Sequence, residues 1–94
     1  MITRVVRLTF IPENRTAFIE IMRRHHQLIR NFKGCYDLNS YQDIKEPNVF
    51  FTISIWQDET ALNDYRHSDF FKTLWSQLKP MFADKAVAHS MQVM

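Results

Sequence analysis

A histidine within a helical pattern is the first candidate for chemistry in this chain of 94 residues. His25 interrupts an otherwise apolar helical stripe, which predicts that it lies between a helix and a sheet. An imidazole there could act as a general base, because histidine exchanges protons near neutral pH. The alternative, which we favour, is a core histidine that hydrogen-bonds a backbone carbonyl. His26 faces another direction and is expected at the surface.

Polar residues on two predicted strands are the second candidate. Thr52, Ser54 and Trp56 alternate along one strand and therefore share a face, and Arg4 interrupts the more apolar face of the first strand. Polar groups under helices predict a cavity with hydrogen-bonding walls. The alternative is that the hydroxyls bond locally and Arg4 extends to the edge of the sheet.

Three further residues, Tyr65, His67 and Trp75, belong to the second helical segment and could close such a pocket. Aromatic residues at helical spacing more often form core, and a histidine beside a helix cap more often bonds locally. His89 alternates with apolar residues in the last predicted strand, and we expect it at an interface between subunits.

The sequence offers no recognisable site for a metal or a common cofactor. The four histidines fall in different predicted environments, and none has the spacing of a zinc or iron site. One glycine cannot form a glycine-rich phosphate loop, and one cysteine, Cys35, allows neither an intramolecular disulfide nor a thiolate cluster. We therefore expect a colourless protein without flavin, nicotinamide, heme or metal.

Composition indicates one globular domain over residues 1–94. Hydrophobic residues make up 46% of the chain and charged residues 23%, which excludes a disordered or fibrous protein. The net charge of +2 is small and the basic residues are scattered, so nucleic acid is not an expected partner. No apolar run approaches the ~20 residues of a membrane span, and no signal-peptide pattern is present. We expect a cytoplasmic protein with no membrane contact.

Periodicity predicts the order strand, helix, strand, strand, helix, strand. The predicted strands are 2–10, 35–43, 48–56 and 86–94. The first helix runs from Pro12 to about Phe32 with Gly34 as its stop, and the second begins at Asp58, restarts at Ser68 and ends at Pro80. The expected apolar stripe of the first helix is Phe18, Ile21, Met22, His25, Leu28, Ile29 and Phe32. This order is that of a ferredoxin-like α+β sandwich, with an antiparallel sheet and both helices on one face.

The strand at 48–56 has two faces that both require burial. One face carries Val49, Phe51, Ile53 and Ile55, and two helices can cover only one side of the sheet. Leaving four large apolar side chains in water forfeits roughly 1.5 to 3 kcal/mol each, which approaches the ~5 to 15 kcal/mol that stabilises a whole domain. We therefore predict a homodimer that forms through the sheet face opposite the helices.

Several motifs resemble the antibiotic biosynthesis monooxygenase family. They are Phe-Lys-Gly-Cys at 32–35, Pro-Asn-Val-Phe-Phe-Thr at 47–52, Trp56, and Glu-Thr-Ala-Leu-Asn-Asp-Tyr-Arg-His-Ser-Asp-Phe-Phe at 59–71. The resemblance covers nearly the whole chain and implies a dimeric α/β barrel. It also implies a small-molecule enzyme, and known members include cofactor-independent monooxygenases of phenols and quinols and heme-degrading enzymes.

The resemblance assigns Trp56 to the wall of the pocket, while other positions depart from the pattern. The heme-degrading branch uses an asparagine in the first strand and a histidine in the second helix, where this chain has Val6 and Trp75. The branch that oxidises polycyclic phenols has an asparagine where this chain has Thr52. We therefore predict a cofactor-independent monooxygenase of a small phenol or quinol, with His25 as candidate base. A non-catalytic dimer that binds a hydrophobic metabolite is the alternative, and heme binding or degradation is the least favoured.

Overall fold

The computed structural model describes residues 1–94 as one antiparallel sheet covered on one face by helices. Two short 3-10 turns cover Pro12–Asn14 and Lys79–Met81. The elements are β1 (Ile2–Thr9), α1 (Arg15–Arg30), β2 (Cys35–Gln42), β3 (Val49–Trp56), α2 (Glu59–Arg66), α3 (Asp69–Leu78) and β4 (Val87–Met91). The strands lie in the order β2-β3-β1-β4, and every neighbouring pair is antiparallel. The predicted ferredoxin-like α+β fold is confirmed.

The second helical segment is two helices, so the order is βαββααβ. The Asp58 carboxylate accepts a hydrogen bond from the backbone N–H of Ala61, and the Ser68 hydroxyl accepts one from Phe71. Each side chain satisfies an N–H that has no partner within its helix. Both predicted caps are confirmed, and a new helix therefore begins directly after His67, the C-cap of α2.

The first helix follows its predicted stripe except at one position. Phe18, Ile21, Met22 and Ile29 are buried, whereas Leu28 is 57% exposed, so the prediction for Leu28 was wrong. Successive helical residues are about 100° apart. Ile29 faces the sheet, and Leu28 consequently turns away from it.

Gly34 is the last residue of the connection from α1 to β2, and it does not stop the helix directly as predicted, because α1 already ends at Arg30 with Asn31 as its C-cap. Its φ of +84° lies in the left-handed region, which residues with a Cβ rarely adopt. A Cβ at this position would also clash with the Cβ of Ala61. Glycine at position 34 thus allows both the backbone conformation of the turn and the close packing of this turn against α2.

The sheet places the Trp56 face under the helices. Phe50, Ser54 and Trp56 are buried, while Phe51 and Ile53 on the opposite face are only half-buried. The central aromatic contact joins this face to α1, where the Phe18 ring stacks on Phe10 with 4.2 Å between centroids. The sequence could not decide which face the helices cover, and the structure does.

The last strand is shorter than the predicted 86–94. In β4, Met91 pairs with Thr3, and β1 begins at Ile2. Residues after Met91 therefore have almost no partner strand left to pair with. Val93 is 88% exposed. None of the helices has the length and apolar character that crossing a membrane requires.

Candidate functional site

A cavity of about 280 Å³ lies between the sheet and the helices. This volume is close to the lower end of the roughly 300–1,000 Å³ typical of small-molecule sites. Most of its walls are apolar, as expected for a site that binds a ring system. The lining residues are Arg4, Val6, Leu8, Met22, Ile29, Leu38, Thr52, Ser54, Trp56, Leu62, Tyr65, Arg66, Phe71, Leu74, Trp75, Leu78, Ala86 and Ala88.

Trp56 forms a fixed wall of this cavity. The side chain is 1% exposed, and its indole Nε1–H donates a hydrogen bond of 2.9 Å to the Ser54 hydroxyl. The indole also stacks on Tyr65, with ring centroids 4.9 Å apart and planes 28° apart. Because its N–H is already bonded, Trp56 can offer a ligand an aromatic surface rather than a free donor.

Tyr65 lies beside Trp56 on α2 and is buried. Burial raises the pKa of its hydroxyl above the usual range, and the neighbouring Cys35 raises it further. Tyr65 is therefore a neutral phenol at physiological pH. It can donate or accept a hydrogen bond, but it is a poor proton acceptor.

Arg4 brings a positive charge to the cavity. It lies directly opposite Ser54 of β3 and Ser90 of β4, and its Nη1 donates a hydrogen bond of 2.8 Å to the Ser90 hydroxyl. Burial lowers the pKa of this half-buried guanidinium, and the nearby charge of Arg66 lowers it further. Arginine nevertheless stays charged at neutral pH.

Arg66 was not predicted as a site residue. It is the last residue of α2 and is exposed, but it also lines the cavity. The available signal in the sequence was its position next to Tyr65 near the end of a helix. That signal is weak, because basic residues are common in the last turn of helices for reasons of helix stability.

Two of the predicted histidines lie outside the cavity lining. The Nδ1 of His25 is 2.7 Å from the carbonyl oxygen of Ile21, and its ring packs near Phe70 with 5.9 Å between centroids. The Nδ1 of His67 is 2.8 Å from the carbonyl oxygen of Asn63. The contact with the Ile21 carbonyl agrees with the favoured interpretation of His25 as a histidine that bonds a backbone carbonyl. The other interpretation, a base in the pocket beside Trp56, is not what this placement shows, because His25 does not line the cavity.

The remaining candidates fall into two groups. Thr52, Ser54, Tyr65 and Trp75 line the cavity together with Arg4 and Trp56, as the sequence predicted for a pocket. His89 lies on the outer face of the sheet, where it pairs with Val5. Ser54 bonds locally, as the alternative interpretation stated, and it does so within the cavity wall.

The donor set of the chain does not fit a bound metal or the heme arrangement of the related branch. No three His, Cys, Asp or Glu side chains come together at a point that could hold a metal ion. Val6 and Trp75, which the family resemblance matches to the asparagine and histidine of the heme-degrading branch, both line the cavity. Neither side chain can ligate iron.

Comparison with known families decides the classification. Residues 1–75 match the sequence profile of the family described as antibiotic biosynthesis monooxygenase. The chain belongs to this family. No curated protein matches the sequence significantly.

Solved structures of the same fold are close in shape and distant in sequence. A crystal structure of an antibiotic biosynthesis monooxygenase has a TM-score of 0.93 and 19% identity, and covers 100% of this chain and 99% of its own. A conserved protein from Methanosarcina mazei Go1 has a TM-score of 0.90 and 22% identity, with coverages of 98% and 92%. Rv0793 from Mycobacterium tuberculosis has a TM-score of 0.91 and 14% identity, with coverages of 99% and 94%. At these identities the likeness establishes the fold alone.

Proposed function

We propose that this family member is a cofactor-independent monooxygenase of a small phenol or quinol. The single observation that carries the proposal is the apolar cavity beside Trp56, which has the size and aromatic walls for a compact ring system. Tyr65 and Thr52 supply hydroxyl groups at its wall. Family membership supports the reaction class, although a shared fold does not by itself fix an activity.

The substrate would supply the electrons itself. An ionised phenol donates one electron to O2, and the resulting ring radical and superoxide combine to a hydroperoxide. Loss of water then leaves a carbonyl group, so one oxygen atom enters the product and the other leaves in water. The protein would exclude bulk solvent, orient the ring against Trp56 and stabilise the anion.

Oxygen incorporation tests this proposal. The protein is mixed with a panel of naphthols and hydroquinones under ¹⁸O2, and protein-free mixtures correct for spontaneous oxidation. We expect one labelled oxygen atom per product molecule and a rate proportional to protein concentration. Labelled product at the protein-free rate for every compound would refute the oxygenase.

A cavity-filling variant ties turnover to the cavity. Ala88 lines the cavity on β4, and Ala88→Phe should reduce kcat/KM about tenfold or more because the ring would occupy substrate space. Ala17→Phe adds the same ring at an exposed position of α1 and is the matched control. Equal activity in the two variants would place the reaction elsewhere.

The second candidate is a non-catalytic module that binds a hydrophobic metabolite in the same cavity. It is favoured by the absence of a histidine or carboxylate from the lining. It predicts that naphthols quench Trp56 fluorescence without consumption of O2. Trp75→Phe provides the background for that measurement, since Trp75 also lines the cavity.

We further propose that the protein is a homodimer joined through the open face of the sheet. In the single chain this face exposes Tyr41, Val87 and Met91 by 51%, 37% and 45%. Phe51, Ile53 and Ile55 lie between them and are only half-buried. A second copy presents the same apolar surface and can cover it by two-fold symmetry.

A further inference from the structure

We propose that the cavity binds its aromatic ligand as an oxyanion, a phenolate or a carboxylate, through the guanidinium groups of Arg4 and Arg66. This inference rests on the proposed function in that it names the ionic form of the ligand for the same site. Its test does not require turnover.

The proposal rests on the charged residues that line the cavity. Arg4, Tyr65 and Arg66 are the only titratable residues that line the cavity, and no aspartate or glutamate lines it. The ion pairs of the chain join Arg23 to Glu20 and Arg30 to Asp37, so neither cavity arginine has a carboxylate partner. Two arginines without a carboxylate partner thus line a mostly apolar space.

The two arginines reach the same cavity from different elements, and Arg66 is near enough to affect the pKa of Arg4. Arg4 is half-buried on the central strand β1, where its bond to the Ser90 hydroxyl fixes one of its nitrogens and leaves other N–H groups free. Arg66 approaches from the end of α2. Repulsion between the two charges contributes to the lowered pKa of Arg4. An anion bound between the groups would relieve that repulsion, whereas a neutral ligand would not.

The same two arginines would also help a phenol to ionise in a cavity that has no histidine or carboxylate to accept its proton. Guanidinium groups at a weakly polar site favour the charged form of a neighbouring acid. The phenol proton would then pass to water as the ligand binds. The bound phenolate would be the electron-rich form that reacts with O2.

A chromophoric phenol tests the ionic form directly. 4-Nitrophenol absorbs visible light only as the phenolate, so its pKa can be titrated free and bound under anaerobic conditions. We expect the bound pKa to be lower by about one unit or more, and we expect Arg4→Gln and Arg66→Gln to reduce the shift. Arg24→Gln, an exposed arginine of α1, is the matched control. An unshifted pKa, or a shift equal in all variants, would exclude a phenolate as the bound form.

A second pair of probes distinguishes phenolates from carboxylates as ligands. 2-Naphthoate and 2-naphthamide have nearly the same shape and differ in charge. We expect naphthoate to bind about tenfold or more tightly than the amide, and Arg66→Gln, at an exposed position that leaves folding intact, to remove most of this preference. Binding of naphthoate alone would assign a carboxylate ligand, and binding of nitrophenolate alone would assign a phenolate. Equal affinity for acid and amide together with an unshifted nitrophenol pKa, or no binding of either anion, would overturn the proposal whether or not the oxygenase is active.

Discussion

At the scale of single residues, the position of His25 separates two accounts of how a substrate would ionise. Its Nδ1 contacts the Ile21 carbonyl and its side chain does not line the cavity, whereas Arg4 does. A base must reach the proton that it abstracts, either directly or through one water. Charge stabilisation by Arg4 and Arg66 requires no such contact.

We therefore predict that His25→Gln changes kcat/KM for a phenol by less than about threefold. Removal of a general base usually costs about 100-fold or more. Steady-state oxygen uptake at neutral pH measures the difference, with His67→Gln as a control at another histidine outside the cavity. A 100-fold loss confined to His25→Gln would restore the histidine as the base.

Tyr65 makes the free energy of unfolding depend on pH in the alkaline range. Its pKa is raised in the folded state, mainly by burial, above the unfolded value of about 10. The resulting stabilisation is complete below that pH. As pH rises further, the unfolded chain loses its proton first, so the free energy of unfolding falls by up to about 1.4 kcal/mol per pH unit.

Tyr65→Phe should make this alkaline loss of stability shallower, because phenylalanine has no proton to lose. Urea unfolding at several pH values between about 9 and 11 measures the slope. Tyr36→Phe is the control, since Tyr36 is 51% exposed. Identical slopes for wild type and Tyr65→Phe would contradict the assigned burial effect.

At the scale of elements, the break between α2 and α3 shapes the cavity. The Ser68 cap lets α3 begin in a new direction, and the two helices then present Tyr65 and Phe71 to each other with ring centroids 5.1 Å apart. A single straight helix from Glu59 to Leu78 could not bring all of its cavity residues to one wall.

Ser68→Ala should destabilise the protein by about 1 kcal/mol, the usual effect of removing an N-cap oxygen. The urea midpoint should fall with an unchanged slope. Ser76→Ala removes an exposed hydroxyl within α3 that bonds only the Thr73 carbonyl, and it should have little effect. Equal destabilisation by the two substitutions would show that the cap is not what positions α3.

At the scale of the whole molecule, we expect the open face of the sheet to join two copies of the chain. Phe51 lies on this face opposite Arg7 of β1 and Tyr41 of β2, near the centre of the apolar surface. An ionised carboxylate there would lose its hydration on dimer formation, which is costly even with the Arg7 charge beside it.

Phe51→Asp should convert the expected dimer to monomer or unfold it. Sedimentation velocity at micromolar concentration should give twice the chain mass for wild type and the single mass for the variant. Ile44→Asp is the matched control, because Ile44 is 96% exposed in a turn. Should Phe51→Asp not fold, the wild-type mass still decides the matter: a folded monomer at this concentration would refute the dimer.

The helices and strands could be predicted from the sequence because the signals for them are local. Alternation along β3, the caps Asp58 and Ser68, and the positive φ required at Gly34 depend on neighbours in the chain. The sequence also determined that Thr52, Ser54 and Trp56 share a face, since strand geometry has a period of two.

The face that the helices cover and the side chains that meet across the cavity could not be predicted, because both depend on packing between elements. Arg66 reaches the lining through the packing of α2 on the sheet, and His25 turns back to its own helix by the choice of one rotamer. Neither depends on a periodicity. The helical periodicity placed His25 in an apolar stripe because periodicity gives only the angular position of a residue on its helix. The contacts of its side chain also depend on residues that are distant in the sequence.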